Sequence, residues 1–206
     1  MTQNRVNPQP SSAEINDQEL WESLIKGDRA AFGLIYQRTI QDLYRFGCSL
    51  VSDEDLVLDS IQEVFVDLWK YHSHLQKTDK IKVYLFKCLS NRIHKESMQQ
   101  NKRKTKNEFF IAGEESAIES IEDRLVLNTY NQGMKAQLSK ALQQLPFRQK
   151  EVINCLFFED FSYEDTAKIM NINLRSVYTL AWKAISNLKS SISIKIIIGF
   201  IILMSK

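Results

Sequence analysis

Helix breakers are scarce in this chain, and what lies between them is periodic. Six glycines and three prolines are spread over 206 residues, and apolar residues recur between them at the spacing of a buried helical stripe. Val57, Ile61, Val64, Phe65 and Leu68 are the clearest case, at i, i+4, i+7, i+8 and i+11. Few breakers and long stripes restrict the chain to an all-α fold. At 44% hydrophobic and 25% charged residues the material is that of an ordinary globular protein, neither disordered nor a disulfide scaffold. The length suits one or two small domains.

Residues 1–13 read as a disordered tail. A first helix is expected from about Asp17 or Glu19, with Leu20, Trp21, Leu24 and Ile25 on one face, until Gly27-Asp28 breaks it. Asp28 can cap a second helix carrying Ala31, Phe32, Leu34, Ile35, Leu43, Phe46 and Leu50. Ser52 or Asp53 caps the third, which bears the stripe above. Asp55, Asp59, Gln62, Glu63 and Asp67 lie mostly off that stripe, either as a solvated acidic face or as a docking face for a basic partner helix. The fourth helix has Val83, Phe86, Ile93 and Met98 on its expected core side, helped by Leu85 and Leu89. It ends in the cluster Lys102-Arg103-Lys104-Thr105-Lys106.

Charge is distributed unevenly. From Lys77 to Lys106 there are ten Lys or Arg against two acids, whereas Glu108 to Asp123 holds six acids and no Lys or Arg. A basic block followed by an acidic one suits a polyanion-binding surface and a segment that avoids or mimics the polyanion. The basic helix also carries Tyr84 and Asn91 beside Lys87, Arg92 and Lys95, a mixture suited to phosphate contact with base stacking or hydrogen bonding. Residues 107–134 read as a flexible acidic linker, so the first domain covers 14–106 and a second covers 135–190.

In the second domain Leu138, Leu142 and Leu145 close a helix before Pro146, and a further helix is expected over Arg148–Phe158. Ser162, with Asp165 three residues on, approximates a capping box for Tyr163–Met170. Asn171-Ile172-Asn173 makes a short turn, and a long helix begins near Leu174. Ala167 permits a close crossing, while Ile172 and Val177 can fill the gap between the two helices. That spacing fits a helix-turn-helix, whose second helix can enter the major groove of DNA; an ordinary helical hairpin is the alternative.

The stretch from Leu138 to Leu188 resembles region four of extracytoplasmic-function sigma factors of the sigma-70 family. The resemblance is carried by Leu145-Pro146, by Arg148-Gln149-Lys150-Glu151-Val152, by Phe161-Ser162-Tyr163 before Ala167, by Ser176-Val177 and by Lys183-Ala184. Region two of the same family is similar to "GDRAAFGLIYQRTIQDLYRFG", "DLVLDSIQEVFVDLWK" and "VYLFKCLSNRIHKES", in that order. The resemblance implies two small helical domains, a region-two bundle and a region-four helix-turn-helix. It implies a protein that is not an enzyme, needs no cofactor or metal, and works in the cytoplasm. Its partners would be bacterial RNA polymerase core and promoter DNA, double- and single-stranded, which it recognises and opens to initiate transcription.

Residue by residue, the resemblance puts polymerase core binding on Asp55, Asp59, Gln62, Glu63 and Asp67. Contacts to the minus-ten element fall on Tyr84, Lys87, Asn91, Arg92, Lys95, Lys102, Arg103 and Lys104. Contacts to the minus-thirty-five element fall on Arg175, Ser176, Tyr178, Thr179, Trp182 and Lys183. Many relatives carry basic residues where Tyr178 and Leu180 stand, so this recognition helix is less basic than usual. A subgroup preference in promoter sequence explains that, or else weak binding aided by a recruiting protein.

Two other function classes find less support. A DNA-only regulator needs neither the acidic helix nor the basic one after it. An enzyme needs a constellation the sequence lacks: His72, His74 and His94 have no paired ligands at metal spacing, and no glycine-rich phosphate loop is present. Cys48, Cys88 and Cys155 fit buried, reduced thiols, and the polar residues 1–19 do not form a signal peptide. Residues 191–206 form an apolar tail. Ten of thirteen residues from Ile192 to Met204 are large and apolar, but the unbroken part, Ile196–Met204, is nine residues long. That is too short for a transmembrane segment. It is expected to pack on region four, to dock an anti-sigma or other recruiting protein, or to touch a membrane surface.

Overall fold

The computed structural model describes residues 16–108 and 137–191, and every regular element among them is helical. The N-terminal module contains α1 (Asp17–Ile25), α2 (Arg29–Leu50), α3 (Glu54–Lys70), a single 3-10 turn at His72–His74, and α4 (Ile81–Glu108). The C-terminal module contains α5 (137–143), α6 (Phe147–Ile153) running into a π turn (Asn154–Phe158), α7 (Tyr163–Met170) and α8 (Leu174–Ser191). The N-terminal tail, the linker expected at 107–134 beyond Glu108, and the apolar tail beyond Ser191 lie outside the described residues.

Short polar side chains set the helix starts. Asn16, Asp28 and Asp53 accept the amides of Glu19, Ala30 and Leu56 at 2.8, 2.8 and 3.0 Å. Ser162 and Asn173 accept those of Asp165 and Ser176 at 3.0 and 2.8 Å. Each satisfies an amide that the first helical turn cannot.

The stripe of α3 is buried as its spacing predicts, together with Trp21, Leu24, Leu43, Phe46, Leu85, Phe86, Leu89 and Ile93. The Trp21 indole N–H donates to the Gln76 carbonyl at 2.8 Å, tying α1 to the segment before α4. Met98, expected on the core side, is 49% exposed because α4 outruns the bundle that covers its first half. At Gly47 α2 passes close to its neighbours: an added Cβ would stand 2.5 Å from Val57 Cγ1 and 3.4 Å from Ile93 Cδ1. Gly47→Ala should therefore destabilise the bundle by about 1–3 kcal/mol through overpacking. A thermal melt checks this, and an unchanged Tm would mean the crossing yields freely.

In the C-terminal module Leu145, Val152, Ile153, Met170, Val177, Ala181 and Ala184 form a second cluster. The turn expected at Asn171-Ile172-Asn173 is present. Asn171 adopts a left-handed conformation (φ 52°), which asparagine tolerates, and the Ile172 amide donates back to the Ala167 carbonyl at 3.1 Å. The helix expected through Phe158 instead widens after Ile153. The Glu159 amide reaches the Asn154 carbonyl five residues back, at 3.0 Å, and Asp160 then turns with φ 55°.

The modules share a core. Cys155 and Ile169 are buried in the N-terminal cluster, with Phe147 and Phe161 packed against it. Phe161 meets Phe86 edge-on at 5.0 Å between ring centroids, and Phe147 meets His94 at 5.1 Å.

Candidate functional site

Because α3 spends its apolar stripe on the core, its acids must face outward. Asp55, Asp59, Gln62 and Glu63 are exposed and Asp67 is half-buried. Beside them runs an apolar shelf that sequence reasoning missed. Leu58, Val66 and Tyr36 are 50, 55 and 43% exposed, and with Phe32, Phe65 and Trp69 they line a shallow groove of about 660 Å³ between α2 and α3. The signal was available: Leu58 and Val66 are eight residues apart, off the buried stripe and on one face. The surface thus combines carboxylates with an apolar strip, as a docking face does.

On the neighbouring α4, Asn91 and Lys95 are exposed while Tyr84, Lys87 and Arg92 are half-buried. Arg92 reaches back to α3, pairing with Glu63 and, at 2.8 Å, with Asp67. An expected DNA contact is therefore held by two expected polymerase contacts, so the two candidate surfaces are continuous. The Tyr84 ring packs edge-on against Trp21 at 5.0 Å. Burial, then the adjacent Cys88, raises its hydroxyl pKa to about 12, so it stays a neutral donor. Asp67, Tyr71, Tyr84, Asn91, Arg92 and Lys95 line a notch of about 380 Å³. A second groove of about 640 Å³ runs along residues 74–80 past Tyr84, Lys87 and Asn91, and Lys168 of α7 forms part of its wall. Lys102, Arg103 and Lys104 lie on the last turns of α4, and their side chains are outside the described residues.

In the C-terminal module α7 and α8 form the helix-turn-helix. Val177, Ala181 and Ala184 seal one side of α8 on α6 and α7. On the other side Arg175, Tyr178, Thr179, Trp182 and Lys183 are exposed, Trp182 by 70%, with Ser176 half-buried near the helix start. The Tyr178 ring stacks on Tyr163 at 4.3 Å and 17°, so α7 fixes its orientation. Tyr163 as a supporting residue was also missed. His72 stacks on Trp69 at 5.1 Å, and its Nδ1 lies 2.6 Å from the Trp69 carbonyl, a structural use of the ring.

Comparison with known proteins finds relatives by sequence and by fold. Residues 135–188 match the family model "Sigma-70, region 4". The chain is 27% identical to the ECF RNA polymerase sigma factor SigM of Bacillus subtilis over 157 residues, covering 76% of this chain and 91% of that protein. It is also 27% identical to RNA polymerase sigma factor SigV of the same organism, over 70% of this chain and 81% of the other. Among solved structures, CnrH in complex with the cytosolic domain of CnrY shares the fold, with a TM-score of 0.59, 18% identity and coverage of 84% of this chain and 95% of that one. So does the sigma factor RpoE of Bartonella quintana, in complex with the anti-sigma factor NepR, with a TM-score of 0.59, 23% identity and coverage of 78 and 95%. With the helix-turn-helix, the acidic α3 and the basic α4 in the same order, residues 135–188 are a sigma-70 region 4, and the chain as a whole is similar to extracytoplasmic-function sigma factors, which supports a part in RNA polymerase-associated, promoter-specific transcription initiation.

Proposed function

We propose that residues 14–106 dock polymerase core and hold the opened minus-ten element, that residues 135–190 read the minus-thirty-five element, and that 107–134 connects them. The reading rests most on α8, whose apolar side is sealed while its opposite side presents Arg175, Tyr178, Thr179, Trp182 and Lys183 to solvent. A helix so placed can lay its N-terminal residues along base edges in the major groove. Arg175 makes the guanine contact and Lys183 the phosphate contact.

On α3 the carboxylates orient a basic partner helix and the apolar shelf supplies contact area. In strand opening the notch between α3 and α4 captures an extruded base, which compensates for unstacking. Asn91 offers hydrogen bonds there, and Lys87 and Lys95 hold phosphates. The chain itself makes and breaks no bonds; the polymerase does the chemistry, in the cytoplasm. By analogy with RpoE bound to NepR, an anti-sigma protein is the expected inhibitor.

Arg175→Ala should weaken specific promoter binding by about 1–3 kcal/mol and relax preference at one base pair. Lys183→Ala should weaken binding evenly across sequences; competition binding over a promoter library separates the two. Run-off transcription with core polymerase and a random promoter library tests the whole reading. Enrichment of two separated sequence elements supports it, whereas DNA binding without any polymerase-dependent transcript replaces it with a DNA-only regulator.

A further inference from the structure

In its first three turns the exposed side of α8 carries two cations, Arg175 and Lys183, and is otherwise apolar, aromatic or methyl-bearing. Arg175, Tyr178, Thr179 and Trp182 fall at i, i+3, i+4 and i+7, so they form one outward stripe. Trp182 and Tyr178 are 70 and 51% exposed. A helix already sealed on its opposite side does not need such rings for folding, and exposed apolar surface of this kind marks a binding site. Tyr178 is also pre-set: the half-buried Tyr163 of α7 stacks on its ring at 4.3 Å between centroids and 17° between planes. The Thr179 hydroxyl donates to the Arg175 carbonyl at 3.0 Å. That spends its one donor within the helix and leaves its methyl group to the surface.

The major groove presents each base differently. Guanine takes the arginine fork, and adenine takes the bidentate amide of Asn or Gln. The cytosine amino group donates to a carboxylate, while thymine offers a methyl group that apolar side chains cover. Between residues 174 and 183 this helix holds a reader for guanine, Arg175, but no Asn, Gln, Asp or Glu. The nearest amide, Asn173, uses its oxygen to accept the Ser176 backbone amide at 2.8 Å, so it cannot grip adenine with both ends. What remains, Tyr178, Thr179 and Trp182, matches the thymine methyl. The dimensions agree. Arg175 and Trp182 are seven residues apart, about 10 Å along a helix axis at ~1.5 Å per residue. That is about three base-pair steps at ~3.4 Å each.

We infer that the α8 stripe reads thymine methyl groups next to the guanine contacted by Arg175, with Tyr178, Thr179 and Trp182 as the specificity-determining residues and Tyr163 as the positioning residue for Tyr178. The inference rests on the reading of α8 as the minus-thirty-five helix, and names the sequence class that helix selects, thymines on either strand beside a guanine. Covering a methyl group with an aromatic plane gains affinity from the apolar area removed from water. A hydrated lysine at position 178 would not supply that gain, which gives the low basicity of this helix a direct use. A ring already held by a stack loses little freedom on contact, so less of the gain is lost to ordering.

The test uses the full chain assembled with polymerase core. Run-off selection from a random promoter library gives the upstream element, and repeating it with Arg175→Ala shows which part α8 reads. That part should hold a guanine with at least two thymines beside it, counted over both strands. Each thymine is then replaced by deoxyuridine, which removes the methyl group and keeps the base pair. Every contacted methyl should be worth about four-fold in promoter affinity, as for one buried methylene-sized group. In Trp182→Ala and in Tyr178→Ala the penalty should vanish at one thymine each, while Arg175→Ala keeps both penalties. Tyr163→Leu should shrink the penalty that belongs to Tyr178 and spare the one that belongs to Trp182. Trp182→Ala should melt as the parent does, because its ring lies outside the core. Equal affinity of the parent for thymine and uracil promoters would overturn methyl readout. A uracil penalty that persists in both aromatic variants removes these residues as its readers. Unchanged affinity and preference in Trp182→Ala would assign that ring to a protein partner instead. A selected element lacking thymine beside its guanine sinks the inference and leaves α8 as the promoter reader. Absence of any polymerase-dependent transcript, or an upstream element untouched by Arg175→Ala, refutes the reading of α8 itself, whatever uracil does.

Discussion

Glu63→Lys should lower affinity for polymerase core by about a hundred-fold, which is within the 2–5 kcal/mol lost when one partner of a hydrogen-bonded interface charge pair is removed. The fold should survive the change. The Glu63 side chain is 60% exposed, and its intramolecular partner Arg92 also holds Asp67 at 2.8 Å. A surface pair of that kind contributes at most about 1 kcal/mol. On the proposed docking the cost therefore falls on the partner, where a lysine would face a basic helix in place of the acidic row of α3. Glu63→Gln separates loss of attraction from added repulsion, and should fall between the parent and Glu63→Lys. Binding titrations against purified core, with melting curves of each variant, make the measurement. Unchanged core affinity in a folded Glu63→Lys protein would remove this acidic row from the docking surface. Because Arg92 borders the notch on α4, the same substitution should also disturb minus-ten binding, which links the two surfaces energetically.

What the sequence reveals and what it hides follow one physical division. The buried stripe of α3, the caps at Asp28, Asp53 and Ser162, and the Asn171–Asn173 turn are all local. Each depends on residues within a few positions of one another, so periodicity and side-chain chemistry suffice. The outward acids of α3 and the exposed side of α8 follow by elimination once the stripes are known. The junction between the modules is different. Lys80 and Asp165 are 85 residues apart, Ser90 and Glu151 are 61 apart, and Arg45 and Glu159 are 114 apart. A charged residue on a helix surface looks the same in sequence whether it meets water or a partner on another element. Asp165 reads as half of a capping box; its amide does bond Ser162, but its carboxylate is clasped by Lys80. Arg92 reads as a DNA contact, and its pairing with Glu63 and Asp67 on α3 is not legible in the sequence. The apolar shelf was legible but overlooked, since Leu58 and Val66 break the polar face of an otherwise amphipathic helix.

Phe86→Ala should destabilise the folded chain by about 3–5 kcal/mol, the usual cost of truncating a fully buried aromatic. That is a large share of the roughly 5–15 kcal/mol that keeps a domain folded. Phe86 is 0% exposed and sits where the modules join. Phe46 of α2 lies on one side, with ring centroids 4.8 Å apart, and Phe161 of the C-terminal module on the other, at 5.0 Å. Its removal opens a cavity in the N-terminal core and strips Phe161 of its edge-on partner in one step. The second loss can be isolated. If the shared core is formed in solution, Phe161→Ala should cost less in the Phe86→Ala background than in the parent. The difference should be about 0.5–1.5 kcal/mol, the coupling typical of a packed aromatic pair. Denaturant unfolding of the four proteins in this cycle gives the number. Strict additivity would place the two rings out of contact, and the N-terminal bundle would then be stable without help from the C-terminal module. A loss below about 1 kcal/mol for Phe86→Ala alone would contradict its burial, since even conservative core truncations cost about that much.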